Sequence, residues 1–125
     1  TRGRWVLFVD DNPQVTAFYG RIAEAFSLPF RSAASVTEAL QIIEEQGQPR
    51  FVMTDLQLGE ESGLDLVREL RQRFGRELAV IVISGNVAEE VRGKVEEVGA
   101  TKFLAKPVGR SRLVAEIQAL VGNPR

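Results

Sequence analysis

The chain has 125 residues, 44% of them apolar, with 16 basic against 17 acidic side chains and a formal charge of −1. That length fits one compact domain burying roughly two-thirds of its unfolded surface, and the near balance of charge offers no nucleic-acid or membrane face. Cysteine and histidine are both absent, which removes disulfides, thiolate nucleophiles, Cys/His zinc sites and imidazole bases and leaves carboxylate, hydroxyl and amine chemistry.

The first predicted element is a strand at Val6–Val9, a solid apolar run. Asn12-Pro13 follows, an N-cap with proline at the first helical position. Val15, Phe18, Tyr19, Ile22, Ala23 and Phe26 recur three and four residues apart and predict a helix with one buried face. A short strand is predicted at Phe30–Ala33. Ser35 with Glu38 forms a capping box for a helix carrying Val36, Ala39, Leu40 and Ile43, and Gly47 is placed to end it. Phe51-Val52-Met53 reads as the third strand. After a glycine-bearing loop, Ser62 can cap a helix carrying Leu64, Val67, Leu70 and Phe74, with Gly75 as its stop. Residues 78–83 show no alternation, which marks a central strand covered on both faces and far too short to span a bilayer. Asn86 with Glu89 repeats the cap pattern ahead of a stripe of Val87, Val91, Val95 and Val98, read as core, and Gly99 closes that helix. Lys102–Ala105 is the fifth strand, and Leu113, Val114, Ile117, Leu120 and Val121 complete the last helix.

Five strands alternating with five helices require a doubly wound parallel sheet with right-handed crossovers and helices on both faces, expected in the order 2-1-3-4-5. No internal repeat competes with this reading. The N-terminus lacks the apolar core of a signal peptide, so a cytoplasmic, reducing compartment is the expectation. The chain starts at Thr1 and ends in Gly122-Asn123-Pro124-Arg125. Residues 1–125 therefore read as one domain, consistent with a piece excised from a longer protein, with 122–125 as the start of a linker or tail.

In such a sheet, ligands bind beyond the carboxyl ends of the strands. Four of the five predicted strands finish there in a chemically capable residue: Asp10-Asp11, Asp55, Ser84 and Lys106. The second ends in Ala33-Ala34-Ser35. Singly, each has an ordinary explanation as a cap, loop, turn or solvated side chain. Together they share one edge. Crowding Asp10, Asp11 and Asp55 would raise their pKa values and destabilise the fold unless a cation joined them. Oxygen donors favour a hard divalent ion, and magnesium is the usual one where phosphate is handled. Lys106 adds a second positive charge. A carboxylate can attack phosphorus to give an acyl phosphate. Asp55, between the strands ending in Asp10-Asp11 and Ser84, is the best candidate nucleophile.

The pattern resembles the response-regulator receiver family of two-component and phosphorelay signalling, chemotaxis-regulator-like, over nearly the whole chain. The matching segments are VLFVDDNP (6–13), MTDLQLGEESGLDLV (53–67), VIVISG (80–85) and GATKFLAKPV (99–108). The resemblance implies a flavodoxin-like (βα)5 fold with Asp55 as phosphoacceptor. It also implies magnesium bound by Asp11, Asp55 and the backbone carbonyl of Gln57, with Asp10 assisting directly or through water. Ser84 matches the switch hydroxyl, Lys106 the lysine that pairs with the phosphoryl group, and Phe103 the aromatic switch residue. Lys106-Pro107 matches the family's cis peptide, and Gln57, Gly85 and Asn86 flank the site. Gly59-Glu60-Glu61-Ser62-Gly63 departs from the usual proline-bearing turn and adds negative charge beside the site.

The function so implied is a signalling switch that catalyses only its own phosphorylation and dephosphorylation. With no histidine of its own, it requires a histidine kinase or histidine phosphotransfer domain as donor. Its output passes to an attached domain or partner through the fourth helix, fifth strand and fifth helix, with no direct nucleic-acid contact and no membrane insertion. A degenerate receiver serving as a docking module is one alternative. A magnesium-dependent aspartyl-phosphate hydrolase is another, but such enzymes carry an Asp-x-Asp nucleophile after the first strand, whereas here Asp10 and Asp11 are adjacent.

Overall fold

Strands that are apolar without alternation need cover on both faces, and the structure, a computed structural model described over residues 4–122, supplies it. Five parallel strands, β1 (Val6–Val9), β2 (Phe30–Ala33), β3 (Phe51–Asp55), β4 (Ala79–Ser84) and β5 (Lys102–Ala105), stand in the order β2-β1-β3-β4-β5. Helices α1 (Pro13–Ala25), α2 (Val36–Gln46), α3 (Gly63–Phe74) and α4 (Glu89–Glu97) make the crossovers, and α5 (Arg110–Val121) follows the last strand. The topology is the expected one. The predicted tail lies outside the described residues from Asn123 onward. Among the described residues no helix is long and apolar enough to cross a membrane.

Side chains alternate across the pleat and divide the core in two. Leu7, Val9, Val52, Val80 and Val82 pack with α2, α3 and α4. Phe8, Phe51, Met53, Ile81 and Ile83 pack with α1 and α5 on the other face. Burying each of these side chains fully is worth about 1.5–3 kcal/mol, so the central strands are the most firmly held part of the molecule.

Local signals were read with uneven success. Asn12 caps α1 with Pro13 at its start, its side chain accepting from the Gln14 N–H. Ser35 caps α2 by accepting from the Glu38 N–H, but Glu38 reaches back to the Ala34 N–H at 2.6 Å rather than to that of Ser35. Ser62 and Gly75 bound α3 as expected, whose fully buried Leu66 escaped the three-and-four spacing. The start of α4 needs correction. Its N-cap is Ala88, which makes no side-chain cap bond, while Asn86 accepts from the Ala88 N–H in a turn outside the helix. The valine stripe is correspondingly not core throughout, since Val95 is buried and Val87 is 47% exposed.

Candidate functional site

The registers that pair Val9 with Thr54 and Asp55 with Ile83 bring the ends of β1, β3 and β4 to one rim. Ser84 lies opposite Ala105 on β5, and the Lys106 N–H donates to the Ser84 carbonyl at 2.9 Å. Carboxylate oxygens of Asp10, Asp11 and Asp55 come within 4.8 Å of one another. The Lys106 ammonium donates to Asp10 Oδ2 at 3.0 Å and to Asp55 Oδ2 at 2.8 Å. The Lys106-Pro107 peptide is cis.

Main-chain donors finish the arrangement. Asp10, almost wholly buried, accepts from the Asn12 N–H at 2.9 Å. Asp55 Oδ1 accepts from the Gln57 N–H at 3.3 Å, and exposed Asp11 accepts from the Gly59 N–H at 3.1 Å. Ser84 is buried, and its Oγ accepts from the Asn86 N–H at 3.0 Å. An open cavity of about 450 Å³, lined by Asp11, Asp55, Gln57, Gly59, Ser84, Gly85, Asn86 and Lys106, gives access from solvent. Phe103 stands apart from it, half-buried on β5 against the core of the α2, α3 and α4 face, with the Arg92 guanidinium 4.7 Å from its ring centroid. Exposed Pro107 turns up in a different hollow, beside Phe18, Tyr19 and Lys106.

Three carboxylates against one ammonium leave two negative formal charges in a small volume. A divalent cation would cancel them, and an all-oxygen donor set suits a hard ion. Burial lowers the Lys106 pKa, but the hydrogen bonds and charges of Asp55 and Asp10 outweigh it and hold the ammonium above its ordinary value. Tyr19, read from the sequence as core alone, is close enough to feel the same groups. Burial pushes its phenol up to about 12, with Lys106 opposing and Asp10 and Asp55 adding to the rise.

Three features of the loop after β3 escaped the sequence. Residues Gln57–Leu58 and Glu61–Ser62 pair as a small antiparallel hairpin, with Gly59 at φ 65° in its turn. The Glu61 carboxylate accepts from the Val36 N–H at the start of α2 at 3.0 Å, which turns it toward that helix. Gly63 is fixed by a close approach: its N–H donates to the Leu56 carbonyl at 2.6 Å, and a Cβ there would overlap the main-chain oxygen of Asp55. A Cβ on Gly85 would meet nothing within 4 Å, so packing does not demand glycine there.

A doubly wound sheet with three carboxylates and a lysine at its carboxyl rim defines a class of phosphorylation-dependent switch proteins, and comparison identifies the family. The chain matches the response regulator receiver domain over residues 6–118 and belongs to that family; it is a receiver domain of the two-component response regulators. It is 33% identical over 123 residues to the acid tolerance regulatory protein ActR of Sinorhizobium medicae, covering 95% of this chain and 59% of that protein. It is 42% identical over 116 residues to the regulatory protein VirG of Rhizobium rhizogenes, covering 90% of this chain and 46% of that one. The chain thus spans about half the length of these curated relatives. A response regulator receiver domain protein from Clostridium thermocellum superposes with a TM-score of 0.83 at 26% identity over 95% of this chain and 94% of that one. A response regulator from Burkholderia pseudomallei, solved with a phosphorylated aspartic acid, calcium ion and citrate, superposes with a TM-score of 0.81 at 27% identity over 95% of this chain and 66% of that one.

Proposed function

We propose that Asp55 accepts a phosphoryl group from a phosphohistidine on a histidine kinase or histidine phosphotransfer domain, and that the domain itself catalyses this transfer and the later hydrolysis. The observation that carries the reading is the Lys106 ammonium shared between Asp10 and Asp55 at 3.0 and 2.8 Å, within a cluster of three carboxylates. An oxygen of Asp55 forms a bond to phosphorus as the P–N bond to imidazole breaks, and the imidazole leaves with that electron pair. In this reading Lys106 pairs with the transferred phosphoryl oxygens, and its 2.8 Å bond to the Asp55 oxygen supports that role. Asp10, Asp11, Asp55 and the Gln57 carbonyl would hold magnesium, which when bound supplies positive charge to the transferring oxygens.

Hydrolysis returns Asp55 to its carboxylate when water attacks phosphorus, and Gln57, Gly85, Asn86 and Pro107 frame the approach. Ser84 and Phe103 serve as the switch. Ser84 leaves the Asn86 N–H for the phosphoryl oxygen, and Phe103 follows from beneath Arg92. The change is read on the face of α4, β5 and α5 by an output domain or partner protein in the cytoplasm. In this reading the domain is one part of a longer regulator, makes no direct nucleic-acid contact and inserts into no membrane.

Intact-mass spectrometry after incubation with magnesium and acetyl phosphate, or with a phosphorylated donor domain, tests the assignment. The native chain gains one phosphoryl group and Asp55→Asn gains none. No gain with any donor, or an equal gain in the variant, overturns it.

A further inference from the structure

The hairpin after β3 has two working sides. Toward the rim, the Gly59 N–H donates to Asp11 and the Gln57 N–H donates to Asp55. Away from it, Glu61 accepts from the Val36 N–H at 3.0 Å, at the first residue of α2. The strands between are two residues each, with Gln57 opposite Ser62 and Leu58 opposite Glu61. A ladder that short has little stiffness of its own, since isolated two-stranded pairing is marginal in water. Its position must come from what anchors it. The anchors are buried Leu58, the Gly63 N–H on the Leu56 carbonyl, and the Glu61 carboxylate on α2.

Leu58 and Glu61 are the anchors that flank the Gly59–Glu60 turn, and Glu61 is the one that ties it to α2 by a polar bond. A carboxylate at a helix N-terminus accepts an N–H that has no partner within the helix and meets the positive end of the helix dipole. The Val36 peptide is not free to follow a moving loop, because Ser35 and Glu38 fasten the same turn and the Val36 side chain is buried in the core. We infer that Glu61 is a positioning residue for the divalent-cation site: by clamping the hairpin to α2 it holds the Gly59 N–H on Asp11 and the Gln57 main chain beside Asp55. This inference rests on the proposed reading of Asp10, Asp11 and Asp55 as a magnesium site. Coupling between two sites is reciprocal, so magnesium at the rim tightens the bond between Glu61 and Val36.

The test measures magnesium affinity by isothermal titration calorimetry in the native chain, Glu61→Ala and Glu61→Gln, with hydrogen exchange of the Val36 and Gly59 amides as second readout. Partners one step behind a metal's ligands typically change affinity about 10- to 100-fold. Glu61 acts through the hairpin, so Glu61→Ala is expected to weaken binding roughly 3- to 10-fold, below that range. The amide oxygen of glutamine still accepts from the Val36 N–H, so Glu61→Gln restores most of the affinity. In the native chain, magnesium slows exchange at Val36, and Glu61→Ala abolishes that effect. The inference is overturned if Glu61→Ala binds magnesium as the native chain does, or if Val36 exchange ignores magnesium. It is overturned equally if Glu61→Gln falls as far as Glu61→Ala, because charge alone would then account for the loss. A native chain that binds no magnesium, or binds it equally as Asp11→Asn, instead fails the underlying reading of the rim.

Discussion

Helices α2 and α4 both begin beside the carboxylate rim, yet they are held in opposite ways. The first turn of α2 receives bonds from three side chains: Ser35 to the Glu38 N–H, Glu38 to the Ala34 N–H and Glu61 to the Val36 N–H. It buries Val36, Ala39, Ile42 and Ile43. At the start of α4, Ala88 provides no side-chain cap, Gly93 interrupts its middle, and Val95 is its buried residue. The far end of α4 is better secured, because Arg71 donates to the Gly99 carbonyl at 2.8 Å and also to Gly75, Leu78 and Thr101. The loose end of α4 is therefore the one that follows Ser84 and Asn86. The rim combines a fixed half, where the carboxylates are positioned, with a releasable half. Segments that move in switching are drawn from the less stable parts of a fold.

The largest expected effect lies in the fixed half. In Gly63→Ala the new methyl collides with the main-chain oxygen of Asp55, and β3 is central and cannot yield cheaply. Overpacking of this kind costs about 1–3 kcal/mol; the urea midpoint should fall accordingly, with reduced phosphoryl uptake at Asp55. An unchanged midpoint would mean that the hairpin gives way easily and that the rim has no rigid half.

The opposite sign is expected in α4. A Cβ on Gly93 meets nothing within 4 Å, so Gly93→Ala should gain about 0.8–1 kcal/mol from helix propensity. Ala88 already has the non-helical geometry a cap needs, with φ −57° and ψ 143°, so Ala88→Ser should gain about 0.5–1 kcal/mol. Hydrogen exchange should slow in α4 in both variants and stay constant in α2. If α4 amides in the native chain already exchange as slowly as those of α2, the division between the halves disappears.

The contrast also marks what the sequence could and could not reveal. Strands made of solid apolar runs were legible because burial on both faces leaves no ambiguity, and Asp10, Asp11, Asp55, Ser84 and Lys106 were legible because strand ends are where such a sheet exposes chemistry. The α4 start misled because Asn86 and Glu89 have the spacing of a capping box, whereas Asn86 uses its side chain on the Ala88 N–H. A local motif cannot say which of two turns will claim it. Gly63 and Glu61 were opaque for another reason. Their partners, the Asp55 carbonyl and the Val36 N–H, are main-chain groups whose positions depend on the assembled fold, and no pattern of residue types encodes them. Val87 read as core because the valine spacing holds, but it lies ahead of the Ala88 cap, outside α4, and is largely exposed.

The smallest effect asks how far the releasable region extends. Glu116 on α5 pairs with Lys102 of β5 at 2.9 Å and with Arg112 at 2.8 Å. Burial raises its pKa, but the hydrogen bonds and charges of Lys102 and Arg112 outweigh this and hold the carboxyl below its ordinary value of 4.5. A carboxylate depressed in the folded state binds its proton more weakly there than in the unfolded chain. Its stabilisation is therefore present above 4.5 and is lost as pH falls through the lower folded value. Glu116→Gln should cost about 0.5–1 kcal/mol at neutral pH, no more, because Lys102 and Arg112 are largely exposed and screened. Comparing the two chains cancels the titration of the aspartates they share, so the difference should vanish in acid and hold steady above pH 4.5. Such a profile places β5 and α5 with the fixed part of the molecule and confines the looseness to α4. A difference that persists unchanged in acid would show that the pair does not form in solution, and the releasable region would then reach α5.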